Sequence, residues 1–205
     1  MILKSQDLSV KENYKLIIGS VLPRPIAFVS TLSADGVSNL APFSFFTGVS
    51  SNPPTICFVS SRKGTEAVKK DTLSNIEYSG EFVVNVVTED IVEPMNETAT
   101  EFPPDIDEFE VAGLTPLKAQ LVKPYLVKES PINMECRLYK TIDIGDGSPG
   151  SATIIVGEII LYHIADHLLN EGRIDTALLK PVGRLAGMDY TTLGRRFTLE
   201  RKTIR

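Results

Sequence analysis

The chain has 205 residues, 42% of them hydrophobic and 23% charged, a composition that suits one globular domain with a packed core. With 26 acidic against 21 basic residues the net charge is −5, which argues against a general nucleic-acid or membrane-surface binder, since either usually presents a basic face. No segment approaches the roughly 20 consecutive apolar residues that span a bilayer. The start, Met1 to Asp7, lacks the charged and then apolar pattern of a secretory signal, so a single cytoplasmic domain over residues 1–205 is expected.

In chain order, residues 11–20 read as a short helix ahead of Pro23. Pro25 to Thr31 is β-rich, and Ser33-Ala34-Asp35-Gly36 is a turn with the Asp-Gly pair that hairpins favour. Val37 to Phe46 returns as a second strand, in which Pro42 predicts a bulge or an exit from the sheet. Thr55 to Ser60 is a third strand. Residues 65–78 read as a helix with Thr65 as N-cap and Gly80 beyond its end. Glu81 to Val87 is a strand, residues 89–99 are helical, and residues 100–130 form a long irregular excursion. Two long strands near 132–144 and 151–162 flank a Gly-Asp-Gly-Ser-Pro-Gly turn. Hairpin-linked strands with inserted helices predict an antiparallel barrel with α additions. The regular strand-helix alternation of a doubly wound fold is missing, and no Gly-x-Gly-x-x-Gly follows a strand.

Cys57 and Cys136 sit in apolar strand sequences and read as core residues. His163 and His167, the only histidines, have no third ligand nearby in sequence and read as surface residues, so no metal site is expected. No Gly-x-Ser-x-Gly is present, and nucleophilic hydrolysis has no support.

Two stretches suit a ligand. Ser38 to Phe46 combines small polar residues, Pro42 and the aromatic Phe43, Phe45 and Phe46. It reads either as a core strand with a bulge or as the wall of a flat heteroaromatic ligand, held by backbone groups that a broken ladder leaves free. Ser60, Ser61, Arg62, Lys63 and Thr65 are followed by Lys69, Lys70, Asp71 and Thr72, with four basic and two acidic groups between residues 60 and 72. This second stretch reads either as a solvated helix face or as a phosphate site, where Arg62, hydroxyls and a helix N-terminus converge.

Taken together, these stretches resemble the flavin reductase-like FMN-binding split-barrel family, which includes flavoredoxins and the reductase components of two-component monooxygenases. The resemblance rests on Arg24-Pro25-Ile26-Ala27-Phe28-Val29-Ser30-Thr31, Gly36, and Ser38-Asn39-Leu40-Ala41-Pro42-Phe43-Ser44. It continues through Arg62, Lys70-Asp71-Thr72, Glu81 to Asn85, Glu108-Phe109, Ala112 to Thr115, and Gly183-Arg184-Leu185, and so spans nearly the whole chain in order. Leu185-Ala186-Gly187 departs from the Leu-Gly-Gly pattern, which leaves Arg184 and Tyr190 without an assigned role.

The resemblance implies a mainly β fold with α additions: a six-stranded antiparallel Greek-key split β-barrel, homodimeric, with FMN near the subunit interface. It implies that Asn39, Leu40, Ala41, Pro42, Phe43 and Ser44 line the isoalloxazine, and that Ser60, Ser61, Arg62, Lys70, Asp71 and Thr72 hold the phosphate. The activity it implies is an NAD(P)H-dependent flavin reductase that feeds a monooxygenase or another redox protein. A flavoredoxin-like FMN electron carrier is the alternative, and binding of some other phosphorylated ring a third. Hydride transfer through a flavin needs position and electrostatics from the protein rather than an acid or nucleophile, so no catalytic side chain is named. Donors from residues 39–44 would stabilise charge at the pyrimidine end of the ring.

Overall fold

The computed structural model describes residues 1–63 and 66–202. Helix α1 (Val10–Ser20) opens on a capping box. The Ser9 hydroxyl accepts from the Glu12 N–H at 3.3 Å, and the Glu12 carboxylate accepts from the Ser9 N–H at 2.8 Å. Strands β1 (Ala27–Leu32) and β2 (Ser38–Phe43) form the expected hairpin, turned at Gly36 with φ +84°. Strands β3 (Phe46–Ser51) and β4 (Pro54–Ser61) form the next one.

Helix α2 (Asp71–Ser79) leads through Gly80, left-handed at φ +69°, into β5 (Glu81–Val86). Helices α3 (Val92–Glu97) and α4 (Glu108–Ala112) follow, then the two-residue partners β6 (Pro116–Leu117) and β7 (Leu126–Val127). The long hairpin β8 (Ile132–Ile144) and β9 (Ala152–Ile164) completes the main sheet. Beyond it lie β10 (Leu169–Asn170), β11 (Arg173–Ile174), α5 (Thr176–Leu179), β12 (Gly183–Arg184) and β13 (Tyr190–Thr191). None of the described helices is long and apolar enough to cross a membrane.

The main sheet is antiparallel throughout, in the order β2-β1-β5-β8-β9-β4-β3. It has seven strands where six were expected, and among the described residues its end strands β2 and β3 do not pair. The strand expected over 37–46 is β2, which stops at Phe43, and the seventh strand is β3 (Phe46–Ser51), in a stretch where none was expected. The chain leaves β1 at Phe43, and β4 takes it up at Phe45, whose carbonyl accepts from the Val59 N–H at 3.0 Å. The helix expected over 65–78 starts only at Asp71, because the chain first turns back on itself with paired Lys63 and Val68; its expected cap, Thr65, lies outside the described residues. The helix expected over 89–99 is a 3-10 turn followed by the shorter α3.

Two clusters form the core. Inside the curled sheet, Ala27, Val29, Phe58, Phe82 and Ile155 pack around Leu73 and Ile76 of α2. Phe43 at one end of the sheet meets Phe58 of β4, with ring centroids 4.9 Å apart. On the other face of β1, Phe28 and Leu40 pack with Ile91, Met95 and Phe109. Because both of its faces are covered, β1 is buried along almost its whole length, including the polar Ser30 and Thr31.

Candidate functional site

The opening between β2 and β3 positions the site. No bulge interrupts the β1–β2 register, which runs from Ala27–Phe43 to Leu32–Ser38. Pro42 is tolerated for a different reason: β2 is an edge strand. The Leu40 N–H points away from β1, donating to Glu108 Oε2 at 3.0 Å. N–H directions alternate along a strand, so the Pro42 nitrogen also faces the outer edge, where no ladder bond is lost.

A knot of side chains holds this edge in place. Asn39 Nδ2 donates to Glu108 Oε1 at 2.9 Å, while its Oδ1 accepts from the hydroxyls of Thr72 at 2.7 Å and Thr31 at 3.2 Å. Glu108 is 6% exposed. Burial raises its pKa, and the bonds from Leu40 and Asn39 act in the opposite sense. Asn39 and Thr72 therefore clamp β2 to α2 and α4.

Beyond Pro42 the chain turns through Ser44. Arg24 Nε donates to Ser44 Oγ at 3.3 Å. A guanidinium can only donate, so Ser44 accepts and keeps its own proton free for a ligand.

A groove of about 1190 Å³ runs along this turn, between α1 and the β8–β9 turn. This exceeds the range of roughly 300–1,000 Å³ usual for one small ligand. Its apolar wall comes from Phe43, Phe45, Val59, Tyr14 and Ile17, and its polar groups include Ser44, Ser61, Arg62 and Lys70. Arg62 is fixed through its backbone N–H, which donates to the Ser151 carbonyl at 3.1 Å. Its side chain is 11% exposed, yet Nε has no hydrogen-bond partner among the described residues. The nearest acid, Asp143, is 4.0 Å from Nη2 and largely in solvent.

Lys70 lies half-buried with Nζ 5.5 Å from the Phe43 ring centroid, and burial lowers its pKa. It forms no ion pair among the described residues, whereas Lys63 pairs with Asp71 at 2.7 Å. The groove thus joins an apolar wall to two cations that no carboxylate pairs closely among the described residues, although Glu101 and Asp146 also line it and Glu101 supports the charge on Lys70. A buried or half-buried charge in that condition favours an anionic ligand.

The expected site residues divide into three groups. Pro42, Phe43, Ser44, Ser61, Arg62 and Lys70 line the groove. Asn39, Ala41, Asp71 and Thr72 line an adjoining depression of about 120 Å³ that shares Pro42 and Lys70 with it. The Thr72 hydroxyl donates to Asn39 and Asp71 accepts from Lys63, so each already has a protein partner. Leu40 and Ser60 are in the interior: Leu40 belongs to the core cluster outside β1, and Ser60 is 1% exposed with its hydroxyl unpartnered.

Sequence reasoning assigned no role to Arg24 or Tyr14 and none to Phe45 beyond its place in the aromatic stretch, because no local pattern shows that α1 folds back across the β2–β3 opening. One histidine differs from expectation. His167 is exposed, but His163 is half-buried and bonds at 2.6 Å to the fully buried Glu135. Cys57 and Cys136 are free thiols on β4 and β8, and burial pushes both pKa values up. Among the described residues no three metal-binding side chains gather.

Residues 18–180 match the model of the flavin reductase like domain. Nitrilotriacetate monooxygenase component B from Bacillus cereus is 41% identical, with 97% of this chain and 98% of that chain covered and a TM-score of 0.93. The 2-nitrobenzoate 2-nitroreductase NbaA of Pseudomonas fluorescens is 33% identical over 99% and 97% of the two chains, with a TM-score of 0.88. A protein with a split barrel domain from Shewanella frigidimarina, 22% identical over 98% of this chain and 100% of that one, superposes with a TM-score of 0.82 and identifies the open sheet as a split barrel. The chain belongs to the flavin reductase-like family.

Proposed function

We propose that the protein is an FMN-dependent oxidoreductase, a flavin reductase that takes electrons from NADH or NADPH. The observation that carries this reading is the orphaned, buried Nε of Arg62 on the same groove as Lys70 and the Phe43–Phe45 wall. Arg62 and Lys70 would hold the phosphate, with Ser61 as a further donor. The Pro42–Phe45 turn would support the ring, and the Ser44 hydroxyl and outward backbone groups of β2 would meet its polar edge. The residues present fit such a group: a donor without a partner among the described residues, a lysine in no ion pair there although Glu101 lies near it, and an apolar surface beside them.

FMN, when bound, supplies the hydride- and electron-carrying chemistry. The chain contributes binding and a fixed electrostatic setting. Ser44 is held by Arg24, and β2 by Glu108 and Asn39, so the donors are in place before any charge develops on the ligand. The size of the groove leaves room for a second ring beside the first, which favours a reductase over a carrier that never meets a nicotinamide.

A homodimer is part of the same proposal. The outer edge of β3 is unpaired among the described residues, Val49 on it is 56% exposed, and Ile142 of β8 is 41% exposed. Uncovered edges and apolar patches of this kind attract a partner, here a second copy. The Bacillus cereus relative is by name one component of a monooxygenase, and a monooxygenase is the proposed acceptor of the reduced flavin.

The test is the visible spectrum of FMN-loaded protein, taken anaerobically before and after NADH or NADPH. Rapid bleaching with either nucleotide supports the reductase. A yellow protein inert to both supports an electron carrier, and a protein that takes up no FMN overturns the flavin reading.

A further inference from the structure

A second pocket, of about 170 Å³, opens on the far side of Pro42 and Ser44. At about 170 Å³ against about 1190 Å³ for the groove, it lies below the roughly 300 Å³ of a whole small-ligand pocket and suits one anionic group whose ring lies partly outside. Arg24, Arg184 and Tyr190 line it, together with Tyr14, Pro42 and Ser44, which it shares with the groove.

The pocket brings two guanidinium groups together without an acid. Arg24 and Arg184 are adjacent through their backbones, which exchange hydrogen bonds of 3.0 and 2.8 Å, and neither forms an ion pair among the described residues. Arg24 is 4% exposed and donates to the carbonyls of Ile18, Val21 and Leu185 at 2.8, 3.1 and 2.9 Å. Those acceptors satisfy its geometry but leave its charge unneutralised. Burial, and after it the charge of Arg184, weakens the hold of Arg24 on its proton.

Arg184 is presented rather than buried. Its guanidinium lies 4.3 Å from the Tyr190 ring centroid, and the Tyr190 hydroxyl fixes the ring by donating to Asn96 Oδ1 at 2.7 Å. One Nη2 proton goes to the Gly187 carbonyl at 2.6 Å, and the other N–H groups of Arg184 make no hydrogen bond to the described residues. A guanidinium stacked in one orientation, with spare donors and a second positive charge behind it, is arranged for a planar or tetrahedral anion.

We propose that this pocket binds the anionic group of a small ring-bearing ligand, the reaction partner of the flavin, with Arg184 as its docking residue and Arg24 as a fixed charge behind it. The proposal rests on the flavin reading for the ligand's role, since Pro42 and Ser44 line both cavities. Its binding chemistry does not depend on that reading. A carboxylate and a phosphate share the recognition chemistry, and two probes separate them.

Benzoate and inorganic phosphate are titrated calorimetrically into FMN-loaded protein and into protein stripped of flavin, using wild type, Arg184→Ala and Arg184→Lys. FMN affinity is measured in parallel. One probe is expected to bind wild type at about one per chain. Arg184→Ala should weaken it about 10-fold or more, the loss of a charge-assisted hydrogen bond. Arg184→Lys should fall between, because it keeps the charge and loses the stacked fork, and FMN affinity should change less than about threefold in both. Failure of both probes to bind wild type, or equal binding to Arg184→Ala, overturns the proposal. Absence of FMN uptake by wild type would instead overturn the flavin reading, and the stripped protein would still report on the pocket.

Discussion

Arg62→Ala separates a phosphate site from a surface cation. The Arg62 side chain is 11% exposed, its Nε has no partner, and its contact with Asp143 is 4.0 Å long to a carboxylate that is 73% exposed. Removing it breaks no side-chain hydrogen bond among the described residues and at most a weak, screened ion pair, so the fold should lose mainly the packing of its stem, about 1–2 kcal/mol. A charge-assisted bond to a phosphate contributes roughly 1.5–3 kcal/mol, so the dissociation constant for FMN should rise about 10- to 100-fold. Riboflavin carries the same ring without the phosphate and should bind both proteins alike. Flavin fluorescence titration of each ligand reads the difference, with urea unfolding as the control for folding. Equal losses for FMN and riboflavin, or none for either, would refute the assignment and leave Arg62 as an ordinary surface cation.

Three further predictions concern the frame around the groove. Glu108→Ala leaves the Leu40 N–H and Asn39 Nδ2 without their acceptor, and at about 1–3 kcal/mol per unsatisfied buried group it should cost roughly 2–5 kcal/mol in urea unfolding. Gly157→Val places a side chain where the Phe82 ring already lies, and overpacking should lower stability by about 1–3 kcal/mol or more in the same assay. Glu135 titrates below its ordinary value. Burial opposes this, but the N–H groups of Gln120 and Leu121 and the ring of His163 outweigh it. Its folded pKa is depressed, so its contribution is full above the unfolded value of about 4.3 and is lost as pH falls through the folded one. The stability gap between wild type and Glu135→Gln should accordingly narrow as the pH drops below about 4, and a gap that stays constant would refute the assignment.

Much of the frame was legible because local signals agree with the final packing. Asp35-Gly36 marks the β1–β2 turn, Gly80 ends α2 in the left-handed region, and the apolar runs near 132–144 and 151–162 are the long hairpin. Pro42 announced a disturbance, but its cause was topological: an edge strand that ends one residue later and passes the chain to β4. No local pattern marks a change of pairing partner, so β3 beyond it was not expected and a seven-stranded open sheet read as six strands. The site followed the same rule. Arg62 and Lys70 stood out by charge in an acidic chain, and both line the groove. Asn39 and Thr72 line the adjoining depression, but their side chains are already engaged, Thr72 donating to Asn39 and Asn39 to Glu108 across distant elements. Arg24 was unreadable as a site residue, since its burial depends on α1 and the segment after β12 closing over it.

The most direct test is a crystal structure of the protein with FMN. A phosphate oxygen within hydrogen-bonding distance of Arg62 Nε, about 2.7–3.2 Å, with the ring against the Pro42–Phe45 turn, is the predicted result. FMN seated elsewhere, or its phosphate turned to solvent while Arg62 Nε stays unpartnered, would contradict the account.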